Sequence, residues 1–143
     1  MWTIKVTGRN GGKVNEALDS AVTVATKNFL AQLGIDKLRG CINIRCHNDS
    51  GLKHEKSTYG EVEPLDSKPR NFRLDVAMYS DWLLTLAHEC VHIKQFVKKE
   101  TDIGMTMWKG RNIRVEEYMK LPYEKEAFKL QRQLVRAFTK ESE

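Results

Sequence analysis

The chain lacks any long apolar run. Its apolar stretches extend only a few residues, far short of the ~20 that a membrane-crossing helix requires. Nor do its first residues, Met1-Trp2-Thr3-Ile4-Lys5-Val6, join a basic region to an apolar core in the manner of a secretory leader. A soluble cytoplasmic protein with no membrane partner is therefore expected. Cysteine is scarce and odd in number. Cys41 and Cys46 flank a short alternating segment, where five positions apart they point to opposite faces, and Cys90 falls in a helical segment. That placement argues against a disulfide framework and predicts reduced, mostly buried thiols. Internal repeats, low-complexity tracts and linkers are also missing, so residues 1–143 read as one domain. Charge of one sign is never concentrated. Lys and Arg number 24 against 19 Asp and Glu, and the net charge of +5 favours acidic partners, nucleic acid among them, but the cations form no block of five.

What is present is the composition of an ordinary globular protein, 41% apolar and 30% charged. Trp2 to Val6 alternates as a strand and Asn10-Gly11-Gly12 ends it as a turn. From Val14 to Leu33 the apolar residues Leu18, Ala21, Val22, Ala25, Phe29 and Leu33 recur at helical steps, and Gly34 is the stop. Cys41 to Cys46 reads as a second strand, Tyr59 to Val62 as a weak one before Pro64, and Phe72 to Met78 as the clearest. The polar stretch Asn48 to Ser57 between them reads as a loop. Ser80 is the candidate N-cap of a helix running to about Lys98. Thr101 to Asn112, with Gly104 and Gly110, reads as a short hairpin or irregular loop. Pro122 opens a last helix, Tyr123 to about Thr139. The order predicts an α+β fold.

Within the helix after Ser80 stands His88-Glu89-Cys90-Val91-His92. At about 100° per residue the two histidines lie about 40° apart and one turn along, so both imidazoles can reach one ion. Glu89 falls about 60° beyond His92, beside such an ion and not over it. A carboxylate there can take a proton from metal-activated water without occupying a ligand position, which is what metal-assisted hydrolysis needs. Leu83, Leu86, Cys90, Ile93 and Val97 form the opposite face, so the helix can bury its back while the histidines look into a cleft.

A catalytic zinc site usually takes three protein ligands and keeps an open position. Candidates for the third are Glu124, Glu126, Glu116, Glu117, Asp102, His47 and His54. In the last helix Tyr123, Ala127, Leu130, Leu134 and Ala137 form an apolar stripe. Glu124 lies beside Phe128, Gln131 and Val135, a second partly apolar face, whereas Glu126 lies beside Lys129 and Gln133 on a face that reads as solvated. A carboxylate among apolar neighbours is costly unless paired or metal-bound, which favours Glu124 and leaves Glu126 as the alternative. Its place in the first helical turn also suits negative charge.

His88-Glu89-x-x-His92, followed some thirty residues later by Pro122-Tyr123-Glu124-Lys125-Glu126-Ala127, resembles the gluzincin metallopeptidases. More narrowly it resembles the small, often phage- or bacterium-encoded SprT-like and minimal zincin-type proteins, in which the motif helix is followed by a Trp-containing segment and a Pro-aromatic-Glu-x-Glu-Ala helix. Trp108-Lys109-Gly110 and Tyr118 sit where that segment would. SprT proper has a different third ligand and a zinc ribbon, neither of which is visible here. The resemblance covers roughly the second half of the chain. It implies a zincin-like fold, with an N-terminal helix and small mixed sheet packed on the motif helix and a C-terminal helix supplying Glu124 as third ligand. It further implies one zinc per chain and hydrolysis of a peptide or protein substrate.

On this reading Glu89 takes the proton of the zinc-activated water and returns it to the leaving amine. Tyr118, Tyr123 and His54 are the candidates for stabilising the developing oxyanion. If the strand from Arg70 to Met78 lies at the sheet edge, a substrate peptide can pair with it. Two other classes remain open. One is a non-catalytic, zinc-stabilised module that binds nucleic acid or a host protein. The other is a hydrolase of a different amide, such as a cell-wall peptide or a small metabolite.

Overall fold

In the computed structural model, which describes residues 1–47, 59–65, 70–102, 105–113 and 121–141, the opening alternation forms β1 (Trp2–Gly8) with Val6 buried and Thr3 and Lys5 exposed. The Trp2 indole reaches across to the Ile35 carbonyl at 2.7 Å. Helix α1 (Glu16–Gln32) starts where the Asn15 side chain accepts from Leu18 N at 2.8 Å. It stops at Gly34, whose φ of 76° lets its own N–H and that of Ile35 return to the carbonyls of Ala31 and Leu30, both at 3.0 Å. This is the paired C-terminal closure that glycine permits at low cost.

Next come β2 (Gly40–His47), β3 (Gly60–Pro64) and β4 (Asn71–Ala77). The sheet order is β1-β2-β4-β3, with β1, β2 and β4 parallel and β3 antiparallel to β4. Register aligns Val6 with Ile44, and Ile44 with Leu74, so one face presents Val6, Ile42, Ile44, Cys46, Phe72, Leu74 and Val76 to the core. The other face carries Arg45, His47, Arg73 and Asp75. β4 is thus interior, and the sheet edge beside it is β3. The strand from Arg70 to Met78 is therefore not an edge available to a peptide. β4 pairs with β2 along one edge and with β3 along the other.

Helix α2 (Trp82–Val97) buries Leu86, Cys90 and Ile93 against the sheet, with Leu83 and Val97 partly buried on the same core. Its N-cap position is Asp81, not Ser80. A tight turn in which Trp82 N bonds Tyr79 O at 3.1 Å leads into it, and no side chain caps the helix. The stretch after it holds a small hairpin, β5 (Met107–Trp108) and β6 (Arg111–Asn112), turned at Lys109 and Gly110, both with positive φ. Helix α3 (Pro122–Glu141) packs along α2, with Ala127 and Leu134 in the shared core. The architecture is α+β: a mixed sheet with helices on it. Cys46 and Cys90 are buried, Cys41 is exposed, and all three are free thiols. Among the described residues no helix is long and apolar enough to cross a membrane.

Candidate metal centre

The middle of α2 is buried on every side, Leu86 to Ile93 without a break, and that includes the side that carries His88, Glu89 and His92, which keep 8%, 5% and 4% of their surface. Packing α3 alongside brings Glu124, 6% exposed, from its first turn. One oxygen of that carboxylate, Oε1, lies 2.9 Å from His88 Nε2 and 3.0 Å from His92 Nε2. The three side chains each offer a ligand atom within 4.8 Å of the others, and the buried group could hold a metal ion.

Electrostatics describe the same demand. Among the described residues the charged partners of Glu124 are the two imidazoles, and no Lys or Arg pairs with it. Burial raises the Glu124 carboxyl, but hydrogen bonds from His88 and His92 outweigh it and hold the group down at about 2. Burial likewise lowers His92, yet the bond to Glu124 and the fields of Glu89 and Glu124 lift it to about 9. A buried anion with only imidazoles around it requires a cation, either a proton on a ring or a metal ion between the ligands. The donor set, two imidazole nitrogens and a carboxylate oxygen, suits a borderline divalent ion.

Glu89 has a different position. Its Oε2 is buried and has no hydrogen-bond partner among the described residues. Burial raises its carboxyl against the opposing pull of His92 and His88. It borders a cleft of about 330 Å³ shared with His88, Gln131, Phe128 and the stacked pair Tyr59 and Tyr79, whose rings lie 4.5 Å apart. β3 begins against this turn of α2. A Cβ on Gly60 would overlap Thr85 and come within 3.3 Å of Glu89 Cγ, so only glycine allows that approach.

The other candidates are engaged elsewhere. Glu126 is not simply solvated. It accepts from Lys94 Nζ at 2.8 Å and Gln95 Nε2 at 3.1 Å, because α3 turns that flank toward α2. Asp102 closes its own loop through Thr106 and Met107. His47 is bonded to Asp75 on the far face of the sheet at 2.8 Å. The Tyr123 ring sits 6.2 Å from that of His92 and does not border the cleft. His54, Glu116, Glu117 and Tyr118 lie outside the described residues, as does the predicted loop Asn48 to Ser57.

Sequence reading passed over two glutamines. Gln131 accepts from His88 Nδ1 at 2.7 Å and Gln95 from His92 Nδ1 at 2.8 Å. The available signal was position: Gln131 lies two turns after Glu124 on the same face, and Gln95 one turn after His92. The two tyrosines of the cleft gave no signal, because their strand and loop meet only in the fold. Comparison with known protein families, with curated proteins and with solved structures returns no significant match for this chain.

Proposed function

We propose that this protein is a zinc-dependent hydrolase, most simply a gluzincin-like metallopeptidase, with His88, His92 and Glu124 as ligands and Glu89 as general base. The observation that carries the reading is the convergence of both Nε2 atoms on one Glu124 oxygen at 2.9 and 3.0 Å, with Glu89 beside them at the cleft, its Oε2 without a partner among the described residues. Three ligands of this kind leave an open position, the mark of catalytic zinc in contrast to structural zinc. A zinc ion held by His88, His92 and Glu124 would supply Lewis acidity, which favours deprotonation of a water and polarises a carbonyl.

The chain's own groups do the rest. Glu89 takes a proton from the water whose oxygen adds to the carbonyl carbon and passes it to the amine that leaves as the C–N bond breaks, and its Oε2, without a partner among the described residues, is the atom able to do so. Its burial strengthens that exchange by excluding competing solvent. The edge strand β3, which starts at Gly60 against Glu89, supports a peptide as substrate: an extended chain added along it runs past the cleft.

The test is a zinc-loaded sample assayed on a mixed peptide library, with products read by mass spectrometry. Glu89→Gln is expected to lower turnover at least ~10²–10⁴-fold while zinc stays at about one per chain. A non-catalytic, zinc-held module that binds nucleic acid or a host protein is the reading to adopt if zinc binds and the loaded protein cleaves no peptide, whereas cleavage that Glu89→Gln leaves unchanged overturns Glu89 as the base.

A further inference from the structure

Each imidazole of the cluster is held from behind by a carboxamide. Gln95 belongs to α2, the same helix as His92, while Gln131 reaches back from α3 to His88 on α2. An amide oxygen only accepts, so both Nδ1 atoms carry hydrogen. The orientation of Gln95 is fixed independently. Its Nε2 donates to the Tyr123 carbonyl at 2.9 Å and to Glu126 Oε1 at 3.1 Å, and Lys94 also donates to that carboxylate. Turning the amide over would set its oxygen against two acceptors, so its Oε1 must face His92. With hydrogen on Nδ1, the lone pair of a neutral ring lies on Nε2, the atom directed at Glu124.

The two glutamines also join the helices. Gln95 is fully buried and ties α2 to the first turn of α3, the turn from which Glu124 projects. Gln131, two turns further along α3, ties that helix to His88. The tautomer of both rings and their position relative to Glu124 are thereby specified together.

We propose that Gln95 and Gln131 are positioning residues, a paired brace between α2 and α3 that sets both Nε2 atoms toward Glu124 and builds the ligand set before a cation arrives. The proposal rests on the zinc reading of the cluster. Outer partners of ligand histidines fix the tautomer and ring orientation, and their loss costs ~10–100-fold in metal affinity.

Gln131 is the cleaner target because it is only half-buried and makes a single bond to the site. Zinc affinity of the full chain is measured by competition with a chromophoric chelator, and the visible absorption of the Co²⁺-substituted protein reports ligand geometry. Gln131→Met, which keeps length and removes the acceptor, is expected to weaken zinc ~10–100-fold and alter the cobalt spectrum. Gln131→Glu, which restores an acceptor, recovers most of the loss. The metal-free melting temperature of both stays near that of the unaltered protein. Gln95→Met weakens zinc and also lowers metal-free stability, since it releases the first turn of α3. Unchanged affinity and spectrum in Gln131→Met, or no recovery in Gln131→Glu, overturns the brace while the zinc reading stands. Failure of the unaltered chain to bind zinc removes both.

Discussion

Histidine meets a buried carboxylate at two places in this molecule, and the two differ in what neutralises the acid. On the outer face of the sheet, Asp75 Oδ1 accepts from His47 Nε2 at 2.8 Å and from Arg45 Nε at 2.7 Å, and Arg73 lies 3.7 Å from the other oxygen. On the helical side, Glu124 has two imidazoles and, among the described residues, no guanidinium. Both carboxylates are held below their ordinary range. Desolvation pushes each up, but Arg45 and His47 outweigh it at Asp75, and His88 and His92 do so at Glu124. A permanently charged Arg completes the first cluster as an ion pair. The second is complete only when a ring is protonated or a metal ion sits among the ligands. Histidine beside a buried carboxylate therefore makes an ion-paired network in one place and a group that could hold a metal ion in the other, and what distinguishes the first is an arginine two positions before its histidine.

The largest effect should separate the clusters by metal. His88→Ala or Glu124→Ala is expected to lose more zinc affinity than the ~10–100-fold cost of an outer partner, whereas His47→Ala leaves it unchanged. Equilibrium dialysis against a zinc buffer reads this directly. Loss of zinc in the His47 variant would place the seat on the wrong face.

Stability should separate them in the other direction. Asp75→Ala leaves His47 and Arg45 without their acid and is expected to cost ~3–5 kcal/mol in urea unfolding, with zinc stoichiometry intact. A loss below ~1 kcal/mol would class the outer cluster with ordinary surface pairs.

The pH responses differ in sign. Asp75 is lowered in the fold, so its contribution is complete above its unfolded value of ~3.9 and is lost as pH falls through the lower folded one. Asp75→Asn should flatten the acid limb of the stability curve. His92 is raised from 6.5 to about 9, so in metal-free protein its contribution is complete below pH 6.5 and disappears as pH rises through about 9. Zinc requires the neutral ring, so the rise in melting temperature on adding zinc should grow between pH 6 and pH 9. A constant zinc-induced shift over that range would contradict the proton-or-metal alternative. The smallest effect is expected of Glu126→Gln, about 1 kcal/mol from the bonds to Lys94 and Gln95, with zinc affinity essentially unchanged.

Much of the fold was legible because its signals are local. The Gly34 stop, the alternation of β1, β2 and β4, and Pro122 at the start of the last helix all follow from a few neighbouring residues, and the structure places elements there. The N-cap of α2 falls at Asp81, one residue after the expected Ser80, because a turn from Tyr79, not a side-chain cap, sets it. The solvated reading of Glu126 failed for a related reason. Its neighbours along α3 are polar, and only the approach of α2 supplies Lys94 and Gln95.

By itself the sequence determined that His88, Glu89 and His92 share one side of a helix whose back is apolar, since 3.6 residues per turn leave no other arrangement. It also narrowed the third partner to a carboxylate of the last helix by the apolar company Glu124 keeps. Tertiary structure alone decided that the Glu124 oxygen meets both rings across 36 and 32 positions, that Gln131 stands behind His88, and that β3 and not β4 is the edge beside the cleft. Periodicity states which residues share a face. Which faces meet depends on strand order and helix packing, and those are set by the whole core together.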